Sequence, residues 1–384
     1  MALIQTPAEV LPFNKPFAGG KEYAYIKQAI DNGHVSGDGP FTRKCQQALE
    51  KMLGVAKVLL TTSCTDALEL SALLLDIRPG DEVIVPSFTF VSTVNAFVLR
   101  GASPVFIDIR PDTLNFDESQ LDGLITPRTR AIVPVHYAGV GCEMDSILNI
   151  AGRCDIPVVE DNAHGLFGKY RGRNLGTLGA LATLSFHETK NISCGEGGAL
   201  LINAERYIDR AEILREKGTN RSRFFRGQVD KYTWVDVGSS FLPSDILAAF
   251  LYAQLEEHAW IQGARRRIWS RYFVHLCDWA RRVGARLPHV PSHCEQSYHM
   301  FYMLMPTVTT RDAFIAHLKK RGILSVFHYV PLHLSEMGQR CVARQTRCPV
   351  TEDVSARIVR LPFYNVLTEE DQDCIIECIH EFRG

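Results

Sequence analysis

Residues 57–107 read KVLLTTSCTDALELSALLLDIRPGDEVIVPSFTFVSTVNAFVLRGASPVFI, and the alternation within this stretch decides the fold. Short runs of β-branched and large apolar residues, KVLLTT, DEVIVPS and SPVFI, are separated by TDALELSALLL and STVNAFVLRG, whose apolar residues recur at helical spacing. Strand, helix and strand in succession form βαβ units. The strands lack the in/out alternation of a half-solvated sheet, so both faces are buried, which predicts a mostly parallel sheet covered by helices. The pattern continues through AIVPVHYA (131–138), the helical EMDSILNIAGRC (143–154), IPVVEDN (156–162) and GALATLSF (179–186).

Further along the chain the texture changes. Ser244 is placed to cap a long amphipathic segment, SDILAAFLYAQLEEHAWIQGARRRIWSRYF, beyond which strands and helices are sparser. The 384 residues exceed the size at which one core stops growing, so two domains are expected. The reading places a large α/β domain at 1–256 and a smaller C-terminal α+β domain at 257–384.

The charge balance narrows the partners. Lys plus Arg number 42 and Asp plus Glu 43, with no like-charge block, which argues against nucleic acid. No stretch nears the roughly 20 apolar residues of a membrane span and the N-terminus has no leader pattern, so a cytoplasmic location is expected. The eleven cysteines are an odd count without a CxxC pair, so neither a disulfide framework nor a metal site is expected. Cys374 and Cys378 stand at helical i, i+4 spacing and are expected to pack in the interior.

In an open parallel sheet, ligands bind beyond the carboxyl ends of the strands, so polar residues just after apolar runs are the candidates. After KVLLTT, the hydroxyls of SCTDALEL open a helix whose free amides suit a phosphate, or else Ser63 or Thr65 is only an N-cap. Phe90 follows EVIVP, where an aromatic is either core or a plate for a ligand ring. Glu160 and Asp161 follow IPVV, with His164 beyond; a buried carboxylate needs a partner, which an ion pair could also supply. Ser185 and Lys190 follow GALATL, and GEGGAL then returns the chain to apolar sequence. Alone, Lys190 reads as a surface lysine. Together, a phosphate-binding helix start, an aromatic plate, a strand-end acid and a lysine are the parts needed to hold pyridoxal phosphate, with the lysine forming the Schiff base.

The motifs GDGPFTRKCQQALE, SCTDALEL, PGDEVIVPSFTFVSTVNAF, VVEDNAHG, SFHETKN with GEGGAL, FHYVPLH and LPFY resemble the DegT-type sugar nucleotide aminotransferases from about residue 12 onward. That resemblance implies the aspartate aminotransferase-like fold, with a seven-stranded sheet in the large domain. It implies that Lys190 anchors pyridoxal 5'-phosphate, Asp161 pairs with the ring nitrogen and His164 lies near the ring hydroxyl. Ser185 and the amides around Cys64 and Thr65 would hold the phosphate, and Phe90 would stack on the ring. Many members carry GxNxR before the inter-domain helix, its Asn reaching the neighbouring subunit's phosphate; here the segment is GSSFLPS and Ser240 stands at the Asn position, in an expected homodimer with shared sites.

The stretch REKGTNRSRFFRGQVDKYTWVDVGSSFLPSD resembles the transaminase that makes dTDP-4-amino-4,6-dideoxygalactose. It implies transfer of an amino group from L-glutamate, through pyridoxamine phosphate, to a dTDP-linked 4-keto-6-deoxy sugar, with Arg226, His328 and Tyr329 touching the sugar nucleotide. Another nucleotide keto sugar, such as a 3-keto hexose or 4-keto pentose, and a non-catalytic sugar-sensing role are the alternatives. Sugar dehydratases of this fold replace the lysine with His, and a nicotinamide enzyme would need a glycine fingerprint that LLTTSCTDA lacks.

Overall fold

The computed structural model describes residues 10–344 and 346–383. The apolar runs form strands Lys57–Thr61, Glu82–Pro86, Ser103–Ile107, Thr129–Ile132, Val159–Asp161, Leu181–Ser185 and Gly198–Ile202. The run Glu82–Pro86 is buried at all five positions, as a doubly covered strand must be. These strands make a four-stranded sheet, ordered 57–61, 198–202, 181–185, 159–161, and a three-stranded sheet with 82–86 between 103–107 and 129–132. Isolated parallel bridges at Ile132–Val158 and Val135–Asp161 align the two sheets side by side. The assembly is mixed: Gly198–Ile202 runs antiparallel to both of its neighbours.

Local chemistry sets the helices that flank the sheet. Ser63 caps the helix Cys64–Leu74 by accepting from the Asp66 amide at 3.0 Å, and Thr65 lies inside its first turn. The helix Pro40–Leu53 opens on a proline, where the missing N–H costs nothing, and closes on Gly54 at φ 74°. Its first amides are met by the buried Asp245 carboxylate, 3.2 Å from Phe41 N and 2.8 Å from Thr42 N. That acid opens the helix Asp245–Glu256, so the contact ties the start of the chain to the inter-domain segment.

The long amphipathic stretch is two helices rather than one, Asp245–Glu256 and His258–Val283, separated at Glu257; Ser244 caps the first as expected. The second helix packs Tyr272, Leu276 and Trp279 into a core with Phe301, Phe314, Ile375 and Ile379. This core is distinct from the clusters around the large sheet and is closed by the strand pair Tyr302–Leu304 and Ile358–Arg360. Cys374 corrects one expectation. It lies on the exposed side of the helix Glu369–Glu381, and only Cys378 is partly buried. Among the described residues no helix is long and apolar enough to cross a membrane.

Candidate active site

Beyond the carboxyl ends of the strands lies a cavity of about 950 Å³, walled by Cys64, Thr65, Phe90, Asp161, His164, Ser185, Lys190, His328 and Tyr329 among others. Nine of the residues singled out in the sequence therefore meet at one place. Ser240 and Arg226 do not: the Ser240 backbone bridges to Glu216, and the Arg226 guanidinium lies 2.7 Å from Glu212.

The glycine-rich turn explains how the two halves of the cavity come so close. A Cβ on Gly198 would sit 2.3 Å from the Ser63 carbonyl carbon and 2.4 Å from Cys64 N, so only glycine lets the returning strand pass under the helix start. The first amides of that helix have no intrahelical acceptor and open beside Ser185 at the end of its strand.

The two adjacent acids have separate tasks. Glu160 is fully buried and spent: it lies 2.8 Å from His136 Nε2 and accepts from the amides of Gly176, Leu178 and Gly179. Those four donors hold its carboxyl below the usual range against the pull of burial. Asp161 faces the cavity, accepting from Thr93 Oγ1 at 2.7 Å and from the Ala163 amide at 3.1 Å. Thr93 was not foreseen, because its role depends on which strand lies next to Asp161.

Lys190 follows a turn in which its amide donates to the His187 carbonyl at 2.9 Å. Burial lowers its amine from 10.5 to about 8, and the Arg360 charge pushes the same way, while Cys64 and Asp161 oppose. At pH 7 about a tenth of such an amine is unprotonated, against a few parts in ten thousand for an ordinary lysine. Condensation of this amine with an aldehyde is therefore expected to speed up about tenfold per pH unit below 8 and to level off above it. Stopped-flow absorbance of the apo-protein mixed with pyridoxal phosphate measures this, and a profile still rising steeply at pH 10 would contradict it.

Histidines and tyrosines line the opposite wall. His164 stacks on His299 with ring centres 4.2 Å apart, and its Nδ1 is buried without a protein partner. Burial keeps His164, His299 and His328 well below the ordinary histidine range, so the three rings are neutral near pH 7. His328 Nδ1 lies 2.7 Å from Tyr137 Oη, and the Tyr329 hydroxyl reaches to 3.4 Å from His164 Nε2. Tyr329 holds a positive φ of 34° with its carbonyl accepting from Ser355 Oγ at 2.8 Å. Phe90, exposed at the cavity mouth, lies 6.4 Å from the Tyr329 ring. A pyridoxal ring and its phosphate fit this donor set: a buried amine, a strand-end carboxylate, an orphaned imidazole nitrogen and a helix start beside a serine.

Comparison with known proteins supplies independent findings. A profile of the DegT/DnrJ/EryC1/StrS aminotransferase family matches residues 17–380. The aminotransferase TlmJ from Streptoalloteichus hindustanus is 30% identical with a TM-score of 0.88, covering 96% of this chain and 98% of its own. A DegT DnrJ EryC1 StrS aminotransferase from Brucella abortus is 31% identical with a TM-score of 0.86, covering 95% of each chain. Spr1654 from Streptococcus pneumoniae, in its PLP-form, is 27% identical with a TM-score of 0.88, covering 97% of this chain and 98% of its own.

Proposed function

Because the chain belongs to the DegT/DnrJ/EryC1/StrS aminotransferase family and so is a pyridoxal-phosphate-dependent aminotransferase, we propose that it moves an amino group from L-glutamate to a dTDP-linked 4-keto-6-deoxy sugar. The observation that carries the catalytic part is the meeting of a buried, low-pKa Lys190 amine and the Asp161 carboxylate in one cavity. Lys190 would hold the cofactor covalently, with Asp161 at the ring nitrogen, His164 Nδ1 near the ring hydroxyl, Ser185 and the Cys64 and Thr65 amides at the phosphate, and Phe90 against the ring face. When bound, the cofactor supplies an electron sink for a carbanion at the donor's α-carbon. Lys190, once displaced by the donor, has a free amine in position to take a proton and return it. Asp161 keeps the ring nitrogen protonated, with Thr93 fixing its second oxygen. Neutral His164, His299 and His328 offer no competing acid on the buried side of the cavity.

The substrate assignment rests on the likeness of residues 215–245 and on the donors in that loop, Lys217, Asn220, Arg221, Arg223, Arg226 and Lys231. We take Arg226, His328 and Tyr329 as sugar nucleotide contacts. Ser240 and Arg226, off the cavity in their own chain, would serve the cavity of a second copy in a homodimer; Trp234, 76% exposed in the same stretch of chain, supports a covered face there. Residues 1–256 and 257–384 remain our domain division, supported by the separate core around Trp279. A different nucleotide keto sugar is the second reading.

Product analysis with glutamate and a panel of nucleotide keto sugars tests the assignment. Amination of the dTDP-4-keto-6-deoxy sugar is expected, and amination of only 3-keto compounds would overturn the regiochemistry. Arg226→Ala is expected to raise the sugar nucleotide requirement about tenfold or more while the glutamate half-reaction stays within about twofold. Rapid-mixing spectroscopy of each half-reaction separates the two, and an equal loss in both would place the loop at the cofactor instead.

A further inference from the structure

Two arginines are packed beneath aromatic rings in the small domain, and they differ in what their nitrogens do. Arg265 is spent: Nε donates to the Tyr298 carbonyl at 2.8 Å, Nη1 to Asn365 Oδ1 at 2.7 Å, and Nη2 to the His299 carbonyl. Arg360 is not. Its guanidinium lies 4.8 Å over the Phe13 ring, Nη2 reaches one carbonyl, that of Phe327, at 3.2 Å, and Nε is buried without any partner. Among the described residues no carboxylate lies within 4 Å of it. Arg360 nevertheless lines the cavity that holds Lys190 and Asp161. A buried cation with spare donors beside a ligand cavity is costly unless an anion arrives to pair with it.

We propose that Arg360 is the subsite for the α-carboxylate of the amino-acid donor. The inference rests on the aminotransferase reading above and adds a residue for one of its two substrates. An amino-acid donor carries its carboxylate one bond from the carbon that reacts, so the group that grips it must stand close to the Lys190 amine. Arg360 meets that requirement: it lines the same cavity as Lys190, His164 and His328. It sits on the small strand pair, at the end of Ile358–Arg360, an element separate from the helix start and strand that carry Ser63, Cys64, Thr65 and Ser185, whose hydroxyls and amides suit a phosphate. The strand fixes its direction, since Arg360 N donates to the Val326 carbonyl at 2.8 Å and Val326 N returns the bond at 3.1 Å. A planar fork with free Nε and Nη donors matches a carboxylate in bidentate fashion.

Glutarate, which has two carboxylates and no amine, probes the subsite without chemistry. Isothermal calorimetry on the cofactor-loaded wild type, Arg360→Gln and Arg360→Lys is expected to show glutarate affinity falling about 10- to 100-fold in the Gln variant and less in the Lys variant. The half-saturating glutamate concentration should rise in parallel while that for the sugar nucleotide changes less than about threefold. Unchanged glutarate affinity in Arg360→Gln overturns the subsite. A requirement that rises for the sugar nucleotide alone also overturns it, and assigns the arginine to the diphosphate. A wild-type chain that takes up no cofactor on Lys190 overturns the aminotransferase reading and the subsite with it, whereas normal uptake with glutarate bound equally by all three proteins overturns the subsite alone.

Discussion

Lys190→Ala is expected to lose transamination by roughly a thousandfold or more, because in the proposed mechanism one amine is both covalent anchor and proton carrier. The buried groups beside it offer no substitute. The histidines nearest to it are held neutral by burial, and the Cys64 thiol is pushed up to about 12, so neither kind of group exchanges a proton readily near pH 7. The fold should persist, since the lysine side chain makes no hydrogen bond to the described residues and its turn is held by the backbone bond from Lys190 N to the His187 carbonyl. The variant should still bind pyridoxal phosphate, but without the imine absorbance, and borohydride followed by peptide mapping should label the wild type on Lys190 alone. Label on another lysine would refute the site, and full activity in the variant would refute the role.

Asp161→Asn is expected to slow the glutamate half-reaction about 100- to 1000-fold with little change in stability, because the amide oxygen can keep the Ala163 N–H while Nδ2 donates to Thr93 Oγ1, whose hydroxyl can turn to accept, but an amide cannot hold a proton on a ring nitrogen. Asp161→Ala should slow it as much and also destabilise the chain by about 1–3 kcal/mol, since two buried donors lose their acceptor. Glu160 cannot stand in. Its oxygens already serve His136 and three amides, and freeing one would break the loop at 176–179. Single-turnover absorbance at the cofactor band measures both variants, and near-normal kinetics in Asp161→Asn would remove the acid from the mechanism.

The strand-end residues were readable because the rule that places them is one of sequence. Asp161, Ser185 and Phe90 each follow an apolar run, and the sheet carries them all to one edge. What was not readable depends on the order of strands and on distant packing. Thr93 meets Asp161 only because Glu82–Pro86, the strand ahead of its helix, pairs with Thr129–Ile132, whose segment bridges in turn to the Val159–Asp161 strand at Ile132–Val158 and Val135–Asp161. His299 sits within the aromatic run SYHMFYM and looks like core until His164 is found stacked on it. Arg360 precedes LPFY and has the spacing of any strand residue; only its missing partners set it apart. The reverse direction of Gly198–Ile202 was equally hidden, since a buried strand shows the same apolar run whichever way it points.

That reversed strand also orders the assembly of the protein in time. Its pairing with Leu181–Ser185 spans a short loop and closes early, carrying Lys190 at the loop's start. Its pairing with Lys57–Thr61 joins segments far apart in the chain and closes late. Because Gly198 passes directly beneath Cys64, only this second closure brings the helix amides to the lysine loop. A nascent or partly refolded chain thus has its lysine and Ser185 in place before the helix amides join the grip on phosphate. Tight cofactor uptake accordingly marks the end of sheet assembly, and added pyridoxal phosphate stabilises the finished chain without speeding the early steps.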